Sequence, residues 1–161
     1  MIDIVELTQN HWNEVVEIFN EGIQTKNATF RTLVPSWEEW NISHHQYFRF
    51  VASYKGRVVG WCALTPVSKR IEYKGVAEVS IYVKLDLVGK KIGSFLMDSL
   101  IKSSERNGIW SLYSSLFPEN IASERLHIKF GFRKIGYREK IAQLDGEWRD
   151  TVLYERRSKK L

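Results

Sequence analysis

Residues 77–95 read AEVSIYVKLDLVGKKIGSF, and this stretch limits what the chain can fold into more tightly than any other. An apolar, β-branched run from Ala77 to Val83 passes through a glycine-bearing turn, VGKKIGSF at 88–95, into the helix-like stretch SFLMDSLIKS. A strand that hands over to a helix in this way belongs to a sheet covered by helices. The free N–H groups and positive dipole end of such a helix start are also where proteins cradle phosphate. Two glycines and two lysines suit that task, although the loop fits none of the nucleotide-loop patterns cleanly.

The rest of the chain supplies the partners. IDIVEL reads as a strand, and Thr8 or Asn10 can cap a helix to about Gly22 with Trp12, Val15, Val16, Phe19 and Ile23 on one face. Ser36 followed by Glu39 forms a capping box, which predicts a second helix from Trp37 to about Tyr47. FRFVASY and RVVGWCALT around Lys55-Gly56 read as a hairpin, and VAEVSIYV as the next strand. The helix after the glycine turn should run from about Gly89 to Arg106 and stop at Asn107-Gly108. IWSLYSSL is a strand, NIASERLHIKF a short helix ended by Gly131, and FRKIGYREK and IAQL-DG-EWRDTVLYER are closing strands. Strands first, then strand–helix–strand–helix–strand, predict an α+β fold built on one mixed sheet.

Composition sets outer bounds. The 161 residues make one ordinary domain, 1–161, and 43% hydrophobic with 27% charged residues is globular and not disordered. No run approaches the length of a membrane span, and MIDIVELTQN lacks the order of a signal peptide. A single cysteine, Cys62, excludes an internal disulfide and fits a reducing cytoplasm. The net charge of +5 points to an anionic partner without choosing between a polyanionic cofactor, nucleic acid and plain solubility. The charge is not concentrated, however: ERRSKKL is a short tail, no aromatic-basic platform recurs, and nucleic acid is not expected. His11, His44 and His45 have no metal-ligand spacing, so no metal is expected.

The order AEVSIYV…GKKIGSFLMDSLI…GIWSLYSSLFPENIASERLHIKFGF resembles the GNAT N-acetyltransferases, and within them the phosphinothricin and methionine sulfoximine N-acetyltransferase subfamily. The likeness covers nearly the whole chain; its most specific parts are Ala77-Glu78, the run from Asn120 to Phe132, and DGEWRD near the end. The resemblance implies a twisted mixed sheet splayed at its middle strands, with acetyl-CoA wedged into the splay, and a cytoplasmic homodimer. It implies transfer of the acetyl group to the primary amine of a small molecule, an amino acid or an analogue such as phosphinothricin. The loop departs from the family pattern of Gln or Arg, two residues, Gly, one residue, then Gly or Ala. Val88 stands at the first position and Lys91 at the middle glycine, and only Gly93 matches. That departure keeps open a CoA-binding domain without useful catalysis.

The resemblance also suggests roles. An amine must lose its proton before attacking a thioester, so a base is needed, and Glu78 interrupts an apolar strand where an idle carboxylate would be expensive. Burial would raise its pKa towards a useful range. Asn120, Ser123 and His127 share one face of their helix, and His127 is a candidate acid or second base. The cofactor should meet the backbone of Ile81, Tyr82 and Val83, the loop residues Gly89, Lys90, Lys91, Ile92, Gly93 and Ser94, and the side chains of Asn120 and Ser123. The acceptor should meet Arg70 and Tyr73, which match the family's substrate loop, with Phe30 and Trp37 as aromatic walls.

Overall fold

The computed structural model describes residues 1–161. Its strands are β1 (Ile2–Glu6), β2 (Phe50–Tyr54), β3 (Arg57–Pro66), β4 (Val76–Val83), β5 (Ser111–Leu116), β6 (Arg133–Leu144) and β7 (Glu147–Arg157). They join in one sheet of order β1-β2-β3-β4-β5-β7-β6, antiparallel everywhere except between β4 and β5. The helices are α1 (Trp12–Gln24), α2 (Trp37–Ser43), α3 (Ile92–Arg106) and α4 (Ile121–Lys129). The mixed α+β sheet expected from the order of elements is therefore present.

Helices cover both faces of the sheet, and β3 shows the consequence. Its residues from Val58 to Leu64 are all buried, so the strand reads as a continuous apolar run without alternation. Cys62 and Leu64 face α3, whereas Trp61 and Ala63 face α1 and α2. Val58 and Trp61 share a face despite their odd spacing. The register explains it, since Ala52 opposes Gly60 and Ser53 opposes Val58, leaving Val59 as the extra residue of a bulge.

On one side α1 buries Trp12, Val15, Ile18, Phe19 and Ile23, spaced as a 3.6-residue period requires. On the other, α3 buries Ile92, Leu96, Met97, Leu100 and Ile101 against β2, β3 and β4. The capping box of α2 forms in full: the Glu39 N–H donates to Ser36 Oγ at 3.2 Å, and the Ser36 N–H to Glu39 Oε2 at 3.3 Å.

Three boundaries differ from the sequence expectation. Helix α2 ends at Ser43 and not near Tyr47, because His44 turns to extended backbone and the carbonyls of His44 and His45 accept from Arg49 at 3.1 and 2.8 Å. That guanidinium is buried, also donates to Asn41 Oδ1 at 2.6 Å, and lies 4.9 Å from the Trp40 ring. Helix α3 starts at Ile92, since Lys91 is left-handed (φ +65°) and Gly89 also has positive φ. The segments FRKIGYREK and IAQL form one strand, β6, in which register shifts at Lys134/Gly136 and Arg138/Ala142 absorb the misfit, with Lys140 at φ +45°.

Leu96 is fully buried on the face of α3 that carries the sheet contacts. Leu96→Ala should cost about 2–5 kcal/mol of unfolding free energy, measured by denaturant titration, because the close-packed strands beneath cannot collapse into the space.

Candidate active site

The site begins where two strands part. Strand β4 stays paired with β3 from Ala77 to Val83, and β5 stays paired with β7 along its whole length. Between β4 and β5, pairing is confined to Val76–Ser111, Ala77–Leu112 and Glu78–Tyr113. Beyond Glu78 the strands diverge, so the groups of residues 79–83 that point away from β3 have no strand partner. This is the splay expected at the middle of the sheet.

Two adjoining cavities occupy the opening, and Ala28, Ile81, Tyr82, Asn120 and Ser123 line both. The larger, about 630 Å³, runs from Tyr82 and Val83 to the start of α3 and is flanked by α4. Gly89, Lys91, Ile92, Gly93 and Ser94 form its far end. The N–H groups of Lys91, Ile92, Gly93 and Ser94 have no acceptor in the protein, and no side chain caps the helix. Four converging donors and a dipole end make an anion site. Arg125 and Lys129 bring cationic charge from α4, and the Lys129 ammonium reaches Ser94 Oγ at 2.9 Å. At Gly93 a side chain would press on Leu126, with a Cβ placed 3.2 Å from it, so glycine here lets α4 approach the helix start.

The smaller cavity, about 290 Å³, holds the candidate acid–base groups Glu78 and His127. Glu78 is half-buried at the last rung of the β4–β5 pairing, and its side chain has neither a hydrogen bond nor an ion pair. Burial pushes its carboxyl pKa up, and the positive field of Arg138 opposes this only in part. His127 is buried and hydrogen-bonded at both ring nitrogens: Nδ1 lies 2.7 Å from the Ser123 carbonyl and Nε2 2.7 Å from Ser114 Oγ. The carbonyl can only accept, so Nδ1 carries the proton and Nε2 accepts from Ser114. Burial lowers the imidazole's pKa and keeps it neutral. In this tautomer the Nε2 lone pair is held by the Ser114 hydroxyl, so the ring takes up a proton when Ser114 turns away, and it has a proton to donate at Nε2 only after that uptake.

The roof is the loop between α1 and α2. Asn120 Nδ2 donates to the Asn27 carbonyl at 3.1 Å, and Arg149 Nη1 to the Lys26 carbonyl at 2.8 Å. Asn120 Oδ1 accepts from the Ser123 N–H and caps α4, so this side chain holds roof and helix together. Phe30 lines the smaller cavity and packs edge-on against Phe117 at 4.8 Å.

Of the residues singled out in the sequence, Glu78, His127, Phe30, Asn120, Ser123, Ile81, Tyr82, Val83 and the loop residues 89 and 91–94 line one cavity or both. Lys90 lines neither. Trp37 packs against Trp12 and Trp40 at 5.5 and 5.8 Å, outside both. Arg70 and Tyr73 also lie outside them, on an exposed turn where Arg70 pairs with Glu72 at 3.8 Å and sits 5.2 Å from the Tyr73 ring. Sequence reasoning missed Arg31, Phe117 and Thr151 in the smaller cavity, and Arg125 and Lys129 in the larger. The last two were within reach, since their spacing of four puts two cations on one side of α4.

The family described as "Acetyltransferase (GNAT) family" matches residues 12–132. The chain belongs to the GNAT family. It is 28% identical over 150 residues to a phosphinothricin N-acetyltransferase of Streptomyces coelicolor, covering 88% of each chain. It is 30% identical over 100 residues to the L-methionine sulfoximine/L-methionine sulfone acetyltransferase of Pseudomonas aeruginosa, covering 62% of this chain and 58% of that one. Among solved structures it matches a GNAT phosphinothricin acetyltransferase of Sinorhizobium meliloti in complex with acetyl-CoA, at TM-score 0.87 and 22% identity, over 97% of this chain and 88% of that chain. This GNAT protein is thus phosphinothricin acetyltransferase-like, and it is an acetyl-CoA-dependent N-acetyltransferase.

Its departure from the GNAT loop pattern acquires a physical meaning. The position where the pattern has its middle glycine is the left-handed N-cap of α3, held here by Lys91 at φ +65°. A residue with a Cβ is strained there by about 1–2 kcal/mol. Lys91→Gly should therefore raise the unfolding free energy by about 1 kcal/mol and leave the acetyl-CoA KM near its original value, while Lys91→Glu should raise that KM well above it. Equal KM values in the two variants would remove the charge of this position from phosphate binding.

Proposed function

We propose that this protein acetylates the primary amine of a small amino acid or amino-acid analogue, phosphinothricin and methionine sulfoximine among the candidates, by direct transfer from acetyl-CoA. The observation that carries the reading is the position of Glu78. It is an unpaired carboxylate with a raised pKa, in a small cavity that opens onto the groove with the anion-binding helix start. The curated relatives, whose names give phosphinothricin and methionine sulfoximine as acceptors, support the acceptor class.

In this reading the larger cavity takes the cofactor. The N–H groups of residues 91–94, with Lys91, Arg125 and Lys129, hold its pyrophosphate, and the unpaired edge of β4 at Ile81–Val83 meets its pantetheine arm. One N–H of that edge stabilises the oxyanion as the amine nitrogen bonds to the acetyl carbon. Glu78 takes the proton the amine must lose. The C–S bond then breaks, CoA leaves as a thiolate that water can protonate, and the neutral His127 serves as a second base. A covalent acyl-cysteine is not used, since Cys62 is fully buried and its thiol pKa is pushed far up.

The domain spans residues 1–161 and acts in the cytoplasm as a homodimer. A free buried thiol supports the compartment, and the exposed Ile135, Tyr137, Ile141 and Trp148 of the β6–β7 hairpin support self-association. No helix is long and apolar enough to cross a membrane.

Glu78→Gln keeps the shape and removes the basicity, so kcat should fall by roughly 10²–10⁴ with acetyl-CoA binding unchanged. Because the carboxyl pKa is raised, the carboxylate is lost at a higher pH than for an ordinary glutamate. The kcat/KM of the unmodified enzyme should decline on the acid side from that higher pH, and Glu78→Gln should flatten this limb. His127→Ala should cost less. Near-full activity with an unaltered profile in Glu78→Gln would assign the base elsewhere.

A further inference from the structure

The smaller cavity carries two polar features that the transfer chemistry does not use. Arg31 is the only lysine or arginine among its lining residues. Arg31 is exposed, its guanidinium makes no ion pair or side-chain hydrogen bond, and its positive field reaches both the Tyr82 hydroxyl in the cavity wall and His44 outside the cavity. Its backbone N–H donates to Thr29 Oγ1 at 3.1 Å, which fixes the start of the side chain on the roof loop. The second feature comes from β7. Thr151 is 4% exposed, lines the same cavity, and its Oγ1 is buried without any hydrogen-bond partner. A buried hydroxyl in that condition carries an unrecovered desolvation cost that a ligand atom meeting it would remove.

The charges in the cavity are sorted. Glu78 attracts the amine end of an acceptor and repels an anionic end, while Arg31 does the reverse. Arg70, the other arginine considered for a carboxylate, is outside the cavity on an exposed turn, 3.8 Å from Glu72. We propose that Arg31 and Thr151 set the acceptor selectivity: Arg31 binds the acceptor's carboxylate, and Thr151 Oγ1 hydrogen-bonds a polar atom of its side chain. The acceptor class is then a small α-amino acid with a hydrogen-bonding side chain. This rests on the reading that the smaller cavity takes the acceptor, and it adds the two groups that choose among acceptors.

The test titrates the CoA-loaded protein with L-methionine sulfone, its carboxamide and L-methionine, measuring Kd by calorimetry. Thiol release from acetyl-CoA is measured in parallel. Arg31→Gln should weaken the sulfone about tenfold or more and leave the carboxamide within about twofold, because only the former loses a charged hydrogen bond. Thr151→Val keeps the shape and should weaken the sulfone by about five- to tenfold while sparing L-methionine. Equal losses for all three ligands in either variant would give that residue a structural role and overturn its assignment. A carboxylate-dependent loss in Arg70→Ala but not in Arg31→Gln would overturn the proposal, as would failure of the unmodified protein to bind the sulfone. Binding with the expected pattern but without thiol release would uphold the selectivity and strike the reading that these amino acids are acetyl acceptors.

Discussion

Everything at this site depends on a pairing that stops. Parallel strands β4 and β5 are hydrogen-bonded at three residue pairs and then separate, yet each remains fully held on its outer side, β4 by β3 and β5 by β7. The sheet is therefore two stiff halves joined by a short seam. Backbone groups at the gap, half-buried from Val79 to Val83, lack the strand partner that the seam supplies, and a ligand with polar groups of its own can satisfy them. An extended chain with amides of its own would do so, which is the physical ground for the proposed seat of the pantetheine arm.

The same break fixes the chemistry. Glu78 sits at the last paired position, so its backbone is held by both neighbours while its side chain faces the opening. One residue earlier, Ala77 is wholly buried in the core; further along, the backbone has lost one of its two partners. The end of the seam is the one place where a carboxylate is both rigidly positioned and reachable. The helix start lies on the same side because α3 connects the two diverging strands, and its first N–H groups face the opening that the divergence creates.

Local rules made the frame legible and left the cavity walls obscure. The capping box at Ser36–Glu39, the turns at Lys55-Gly56 and Asp145-Gly146 (both residues of each at positive φ), and the apolar face of α1 are short-range signals that the structure realises. The end of α2 was not legible, because it is set by Arg49, whose guanidinium takes carbonyls that a further turn would have used. Arg31 and Thr151 were hidden for a related reason. The roof loop has no period, and its place is fixed by contacts from far along the chain, from Asn120 to Asn27 and from Arg149 to Lys26. Thr151 reads in sequence as one more residue of an alternating strand; only the missing partner of its hydroxyl marks it out.

Placing a carboxylate at the seam also sets stability against the capacity to accept a proton. A carboxyl whose folded pKa lies above its unfolded value contributes stability that is present at low pH and lost as pH rises through the interval between the two. Glu78 is such a group, since burial outweighs the field of Arg138. Most acidic side chains in folded proteins gain partners and behave the opposite way. Above its raised pKa the ionised Glu78 therefore weakens the fold, in the state in which it can accept a proton. A salt bridge from a nearby arginine would remove the conflict and with it the basicity. The structure keeps Arg138 close enough to moderate the shift and makes no ion pair to cancel it. Lys91 carries a second local cost at the other end of the groove, holding a left-handed conformation where glycine would be relaxed. Both strains lie on the cavity lining, outside the buried clusters that β3 and α3 anchor, so their cost is borne by the burial of those clusters.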